Sequence, residues 1–256
     1  MDIYHPDDPR HDHEAQRKAD RRRLVRALNL SLGFVLALIL VYSAQAGFDW
    51  SPLAVAPHDV RGLLGILTAP LLHGSVEHIV ANASSLLILG TLAGSVYPRA
   101  TAWSLPFLWI GSGLGAWLLG DAGSHHLGAS GVTHGLMFLL FVLGLLRRDR
   151  AAIAAGMIAF FFYGGMLLTV LPHEAGISWQ SHLGGALGGV IAALLFRRLD
   201  PALPRKRYSW EDEEETLAAM DDELEPPAPR EVPVLWQRTQ RDEARGVVLK
   251  FPPRDQ

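Results

Sequence analysis

Long apolar runs, separated by short clusters of Gly, Pro, His and charge, occupy the stretch from residue 28 to residue 196, where charged side chains nearly vanish. Six windows, roughly 28–45, 78–97, 102–119, 130–146, 152–171 and 182–196, come close to the ~20 apolar residues that a membrane-spanning helix requires. Several run short, which argues for tilted members of a packed bundle rather than fewer, longer spans. The pattern predicts an all-α membrane protein with a six-transmembrane-helix bundle over residues 28–198. The first 27 residues are hydrophilic, and the first apolar run is too long for a cleavable signal and has no small-residue cleavage site, so helix one is expected to remain as an anchor.

Charge changes the picture by its distribution rather than by its formal sum of -3. Arg17, Lys18, Arg21, Arg22, Arg23 and Arg26 precede the first window, and Arg99 lies between the second and third. Arg147, Arg148 and Arg150 follow the fourth, and Arg197, Arg198, Arg205, Lys206 and Arg207 follow the sixth. These fifteen residues stand against Arg61 alone in the alternate connections. The positive-inside rule then predicts that both termini are cytoplasmic, with the protein in the cell inner (plasma) membrane. The connections at 46–72, 120–129 and 172–181 are predicted to face outward.

Polar side chains at membrane depth are expensive and tend to mark function. Ser130, in Gly128-Ala129-Ser130-Gly131, opens the fourth window, and His182, in Ser181-His182-Leu183-Gly184-Gly185, opens the sixth. At ~1.5 Å per helical residue, Ser130 stands roughly 25 Å from Arg147, inside a hydrocarbon core of about 30 Å. Gly131 and Gly135, and likewise Gly185 and Gly189, form small-xxx-small pairs that permit close backbone approach and would bring His182 to Ser130. His78 and Asn82, four apart on one helical face, can present an imidazole and a carboxamide, and the Ser130 N–H near a helix start can add a third donor for developing negative charge. Cysteine is absent, which removes thiolate chemistry and disulfides and leaves hydroxyl, carboxylate and imidazole groups.

The set His73, His78, Asn82, Gly128-x-Ser130-Gly131 and His182-x-x-Gly185-x-x-x-Gly189 resembles the rhomboid intramembrane serine proteases over about residues 28–198. The resemblance implies Ser130 as nucleophile and His182 as general base, a dyad without a carboxylate. It implies an oxyanion hole of His78, Asn82 and the Ser130 amide, with His73, Gly128, Gly131, His134 and Gly185 supporting the site. Its substrates would be transmembrane proteins cleaved in or near their spans, without a cofactor. Two positions depart from the family pattern. His134 stands where many rhomboids carry an aromatic residue packed on the base, and Val60-Arg61 stands where Trp-Arg is frequent. A catalytically inactive rhomboid-like protein that binds transmembrane helices is the alternative, and the presence of the whole dyad argues against it.

Taken singly, Ser130 would more often bond back to the preceding turn, and His182 would more often be a capping or packing group. Their co-occurrence is what points to chemistry. His125, His126 and His173 are expected to be solvated in loops. No HExxH motif occurs, so a zinc protease of that type has no anchor, and no metal is expected. Glu77 and Asp121 are expected near the interface rather than in a cleft. Trp103, Trp109, Trp117, Tyr97 and Trp179 read as interfacial or packing groups. The basic stretches suit a lipid bilayer surface rather than nucleic acid. Residues 1–27 and the acidic, Pro-rich 199–256 are expected to be cytoplasmic tails without structure, apart from a short amphipathic helix permitted by the spacing of Trp210, Leu217, Met220 and Leu224.

Overall fold

The computed structural model describes residues 9–148, 150–172 and 176–201, together with 214 and 217. Contacts divide the chain into residues 1–203 and residues 204–256. In the second unit only positions 214 and 217 are described; both are helical and exposed, and the remainder of the suggested amphipathic helix lies outside the described residues.

In the first unit, six described helices are long and apolar enough to cross a membrane. The principal elements are α1 (Pro9–Ala44), a short α2 (Gly65–Thr68), α3 (Val76–Val96), α4 (Pro98–Leu119), α5 (Ser130–Arg147), α6 (Arg150–Tyr163) and α7 (Trp179–Phe196). A 3-10 segment, Gly164–Val170, continues α6. Each span matches a predicted window within a few residues, except that the first begins well before residue 28. The ends follow local chemistry. Ser75 caps α3 by accepting from the His78 N–H at 3.2 Å, Pro98 opens α4, where its missing N–H costs nothing, and Arg148 closes α5 in the left-handed region at φ 54°.

Helix α1 corrects the expectation for residues 1–27. From Pro9 onward the chain is helical, so an unstructured tail is replaced by helix over 9–27. Between Ala15 and Ala27 every residue except Asp20 and Val25 is Ala, Arg, Lys, Leu or Gln, with no Gly or Pro, a run of strong helix formers that its high charge disguised. The Arg22 Nε also donates to the Lys18 carbonyl one turn back. The predicted boundary near 198 shifts as well. Asp200, 6% exposed, accepts the Arg99 N–H at 3.0 Å and the Ala100 N–H at 2.8 Å, and so caps α4 with a residue a hundred positions away. Arg147 donates to the Asp200 carbonyl at 2.7 Å and lies over the Tyr97 ring, which joins α5 to the same corner.

Glycine decides how α7 sits. A Cβ built on Gly185 would strike the Gly131 carbonyl, and one on Gly189 the Gly135 carbonyl, so this face lies backbone to backbone against α5. The neighbouring face does the same toward α4, where a Cβ on Gly184 would strike the Gly111 carbonyl and one on Gly188 the Phe107 carbonyl. The second of these faces was not anticipated. Leu38, Leu89, Leu108, Leu139, Leu140 and Leu143, all fully buried, belong to one apolar cluster in the bundle.

Two substitutions test this frame. Asp200→Ala is expected to lower stability by about 1–2 kcal/mol through the loss of two helix-capping hydrogen bonds, read as a lower thermal midpoint in detergent. Gly185→Ala is expected to cost about 1–3 kcal/mol because the added methyl meets a backbone carbonyl that has no room to yield.

Candidate active site

The connection from 48 to 75 is held on the bundle by hydrogen bonds to its backbone. Trp109 Nε1 donates to the Leu67 carbonyl at 3.1 Å and Trp117 Nε1 to the Asp59 carbonyl at 2.9 Å. These two tryptophans therefore fasten a loop as well as pack. Thr68 Oγ1 donates to the Leu53 carbonyl at 2.6 Å. Beyond it, the Gln45 side chain pairs with His73 as a peptide would, its Nε2 donating to the His73 carbonyl and its Oε1 accepting the His73 N–H, both at 3.0 Å. That pairing places His73 at the entry to α3.

Where α5 begins, Gly128 holds φ 110°, a conformation that L side chains rarely adopt. A Cβ there would also lie 2.6 Å from His78 Nε2 and 3.5 Å from Asn82 Nδ2. The turn before Ser130 thus rests directly against the imidazole and the carboxamide of α3. Asn82 is 4% exposed, and its Nδ2 has no hydrogen-bond partner among the described residues, which leaves a donor beside the start of α5.

His182 Nε2 lies 2.9 Å from Ser130 Oγ. Its Nδ1 lies 2.9 Å from the Thr169 carbonyl, which only accepts, so Nδ1 carries the proton and Nε2 turns a lone pair toward the serine. His134 stacks on His182 with centroids 3.8 Å apart and planes 13° from parallel. It also bonds the Ser130 carbonyl through Nδ1 at 2.7 Å and Thr169 Oγ1 through Nε2 at 2.8 Å. An alcohol, a base with a defined lone pair, and nearby unpaired donors form the set that acyl transfer requires.

Ser130, His134 and His182 share one cluster, and His78, Asn82 and Gly128 share the adjoining one. Gly131 and Gly185 form the backbone contact between α5 and α7. His73 is 1% exposed and meets His78 edge to face at 5.1 Å. Its ring nitrogens find no hydrogen-bond partner among the described residues. Burial first, then repulsion from His78, brings its pKa down from 6.5 to about 4, with the nearby Leu71 carbonyl offsetting part of the effect.

His126 departs from the solvated loop residue that was expected. It is half-buried, bonded to Ser124 Oγ at 2.9 Å and to Ser178 Oγ at 2.7 Å, and its backbone pairs both ways with Val55. Ser178 caps α7 through the Ser181 N–H, so His126 links the loop before Ser130 to the helix that carries His182. Burial lowers its pKa, against a raising influence from Asp121. His125, Glu77 and Asp121 are exposed, and His173 lies outside the described residues. Among the described residues, no group of three His, Asp or Glu could hold a metal ion.

The rhomboid domain family matches residues 60–199, more than half of the chain, and the protein belongs to that family. It is 41% identical over 174 residues to an uncharacterized protein of Mycobacterium tuberculosis strain H37Rv, covering 64% of this chain and 72% of that one. It is 25% identical over 210 residues to the chloroplastic rhomboid-like protein 11 of Arabidopsis thaliana, covering 74% and 73%. A putative rhomboid protein of Acanthamoeba polyphaga mimivirus is 25% identical over 142 residues, covering 52% of this chain and 75% of that one. Family and helices together make it a multi-pass membrane protein.

The depressed pKa of His73 has a consequence for stability. The unfolded chain takes up a proton near pH 6.5 that the folded protein refuses until about pH 4, so stability is full above about 6.5 and declines as pH falls toward 4. The thermal midpoint in detergent is expected to drop over that window, and to drop less in His73→Gln.

Proposed function

We propose that the protein is an intramembrane serine protease that hydrolyses peptide bonds in or near the transmembrane segments of membrane-protein substrates. The observation that carries this reading is the 2.9 Å approach of His182 Nε2 to Ser130 Oγ, with the other ring nitrogen engaged by a carbonyl.

In the proposed reaction, His182 takes the Ser130 proton as the oxygen attacks the substrate carbonyl. His78, Asn82 and the Ser130 N–H hold the charge of the tetrahedral intermediate. The protonated His182 then gives its proton to the leaving amine, and water clears the acyl-enzyme by the same steps in reverse. The substrate must first open its helix, because a hydrogen-bonded backbone offers no carbonyl to attack, and small or helix-breaking residues near the membrane surface favour that opening. No cofactor takes part.

The orientation belongs to the same proposal. The basic residues cluster at the end of the bundle opposite Ser130, which supports cytoplasmic termini, an inner-membrane location and a site opening toward the outer face.

Cleavage of a reconstituted transmembrane substrate is expected to be lost in Ser130→Ala and nearly lost in His182→Ala, with both variants folded by circular dichroism. Asn82→Ala is expected to lower kcat by roughly 10²–10³-fold, in line with the removal of one oxyanion donor. A fluorophosphonate probe is expected to label the wild type but not Ser130→Ala. Equal labelling or equal cleavage in the two would refute the dyad, and absence of both in the wild type would favour a helix-binding protein without activity.

A further inference from the structure

Four hydrogen bonds close a circle around the dyad. Ser130 Oγ meets His182 Nε2 at 2.9 Å, and His182 Nδ1 meets the Thr169 carbonyl at 2.9 Å. Thr169 Oγ1 meets His134 Nε2 at 2.8 Å, and His134 Nδ1 returns to the Ser130 carbonyl at 2.7 Å. Two of the four junctions lie on Thr169, a residue of the 3-10 segment Gly164–Val170, and they use different atoms: the carbonyl for the base and the hydroxyl for the histidine stacked upon it.

We propose that Thr169 and His134 are positioning residues that hold His182 in the tautomer able to accept the Ser130 proton. The proposal rests on the protease reading above for its catalytic meaning. Its structural content, a single ring tautomer at His182, stands apart from activity.

An imidazole has two neutral tautomers, and only the one protonated at Nδ1 leaves Nε2 free as a base toward Ser130. In a dyad without a carboxylate, something else must select it. The Thr169 carbonyl does so because it accepts and never donates. The hydroxyl of the same residue, bonded to His134, restrains the direction in which that carbonyl points. Thr169 Oγ1 also lies 3.0 Å from the Met166 carbonyl, but its single proton goes to His134 Nε2, because His134 Nδ1 carries the ring proton toward the Ser130 carbonyl. His134 is 3% exposed and fixed at its other nitrogen to the backbone of the nucleophile itself. The stack at 3.8 Å and 13° then limits rotation of the His182 ring about its own axis. Position 134 thereby adds to aromatic packing a pair of hydrogen bonds that a phenyl ring lacks. The circle ties α5, α7 and the segment after α6 together at the reacting atoms.

Members of one closed circle act as a unit, so breaking it twice costs little more than breaking it once. Thr169→Val keeps the backbone carbonyl and shape but removes the hydroxyl. His134→Phe keeps the stack but removes both hydrogen bonds. Each is expected to lower kcat by about tenfold or more with KM little changed, since the tautomer affects proton transfer rather than substrate binding. The double variant is expected to fall no more than about threefold below the weaker single one, and Thr169→Ser to recover most of the loss. In parallel, ring ¹⁵N shifts of histidine-labelled protein in detergent are expected to report a single Nδ1–H tautomer at His182 in the wild type and in Thr169→Ser, and a mixture in Thr169→Val and His134→Phe.

Losses in kcat that multiply in the double variant, or a His182 tautomer unmoved by both single substitutions, would overturn the circle. Cleavage that survives Ser130→Ala would overturn the protease reading instead, and the ¹⁵N shifts would then still decide whether Thr169 and His134 select the tautomer.

Discussion

Everything at the site depends on how closely α7 lies against its neighbours. Helix axes separated by ordinary side chains stand 8–10 Å apart, and a serine and a histidine each reach only a few ångströms from their backbones. The 2.9 Å approach of Ser130 to His182 is possible because Gly185 and Gly189 rest on the carbonyls of Gly131 and Gly135. In an apolar medium there is little hydrophobic drive between helices, so such backbone contact, with its dispersion and weak polar interactions, must supply the attachment itself. The neighbouring glycine face of α7, against α4, holds the helix from a second side.

That arrangement concentrates close backbone packing around Ser130 and His182. His182 sits on a helix gripped from two sides, Ser130 stands at the first turn of another, and the turn preceding it is shaped by Gly128 at φ 110°. Polar groups elsewhere serve the same end by closing backbone requirements internally. Indole N–H groups hold the long connection, Ser178 and Ser75 cap helices, and Asp200 caps α4 at the far end. A chain in contact with lipid has no water to satisfy such groups, so each of these bonds removes a penalty of several kilocalories that an orphaned group would carry.

Legibility in the sequence followed the range of the signal. The six spans were readable because hydropathy is summed over some twenty residues, and Ser130 and His182 because each is a polar residue in an apolar run flanked by glycines at helical spacing. Gly184 and Gly188 were overlooked for the α4 contact because what they meet there is backbone, the carbonyls of Gly111 and Phe107, in a helix that drew attention only for its tryptophans. Thr169, Gln45 and Asp200 carried no readable mark. Each acts through, or upon, backbone atoms of a residue distant in the chain, and a lone threonine in an apolar stretch has the same appearance whether it bonds its own helix or another. Residues 15–27 were misread because charge density and helix propensity point in opposite directions there, and charge was given the greater weight.

The pairing of Gln45 with His73 bears on how much of the chain the fold needs beyond the family match at residues 60–199. The family match begins at residue 60, after α1, yet a side chain at the end of that helix supplies both hydrogen bonds to the main chain of a residue lying within the matched region. The carboxamide stands in for a missing strand neighbour. Detaching the leading helix would therefore strip a buried donor and a buried acceptor of their partners at the threshold of the helix that bears His78 and Asn82, so the segment outside the family boundary is part of the machinery's foundation rather than an appended anchor.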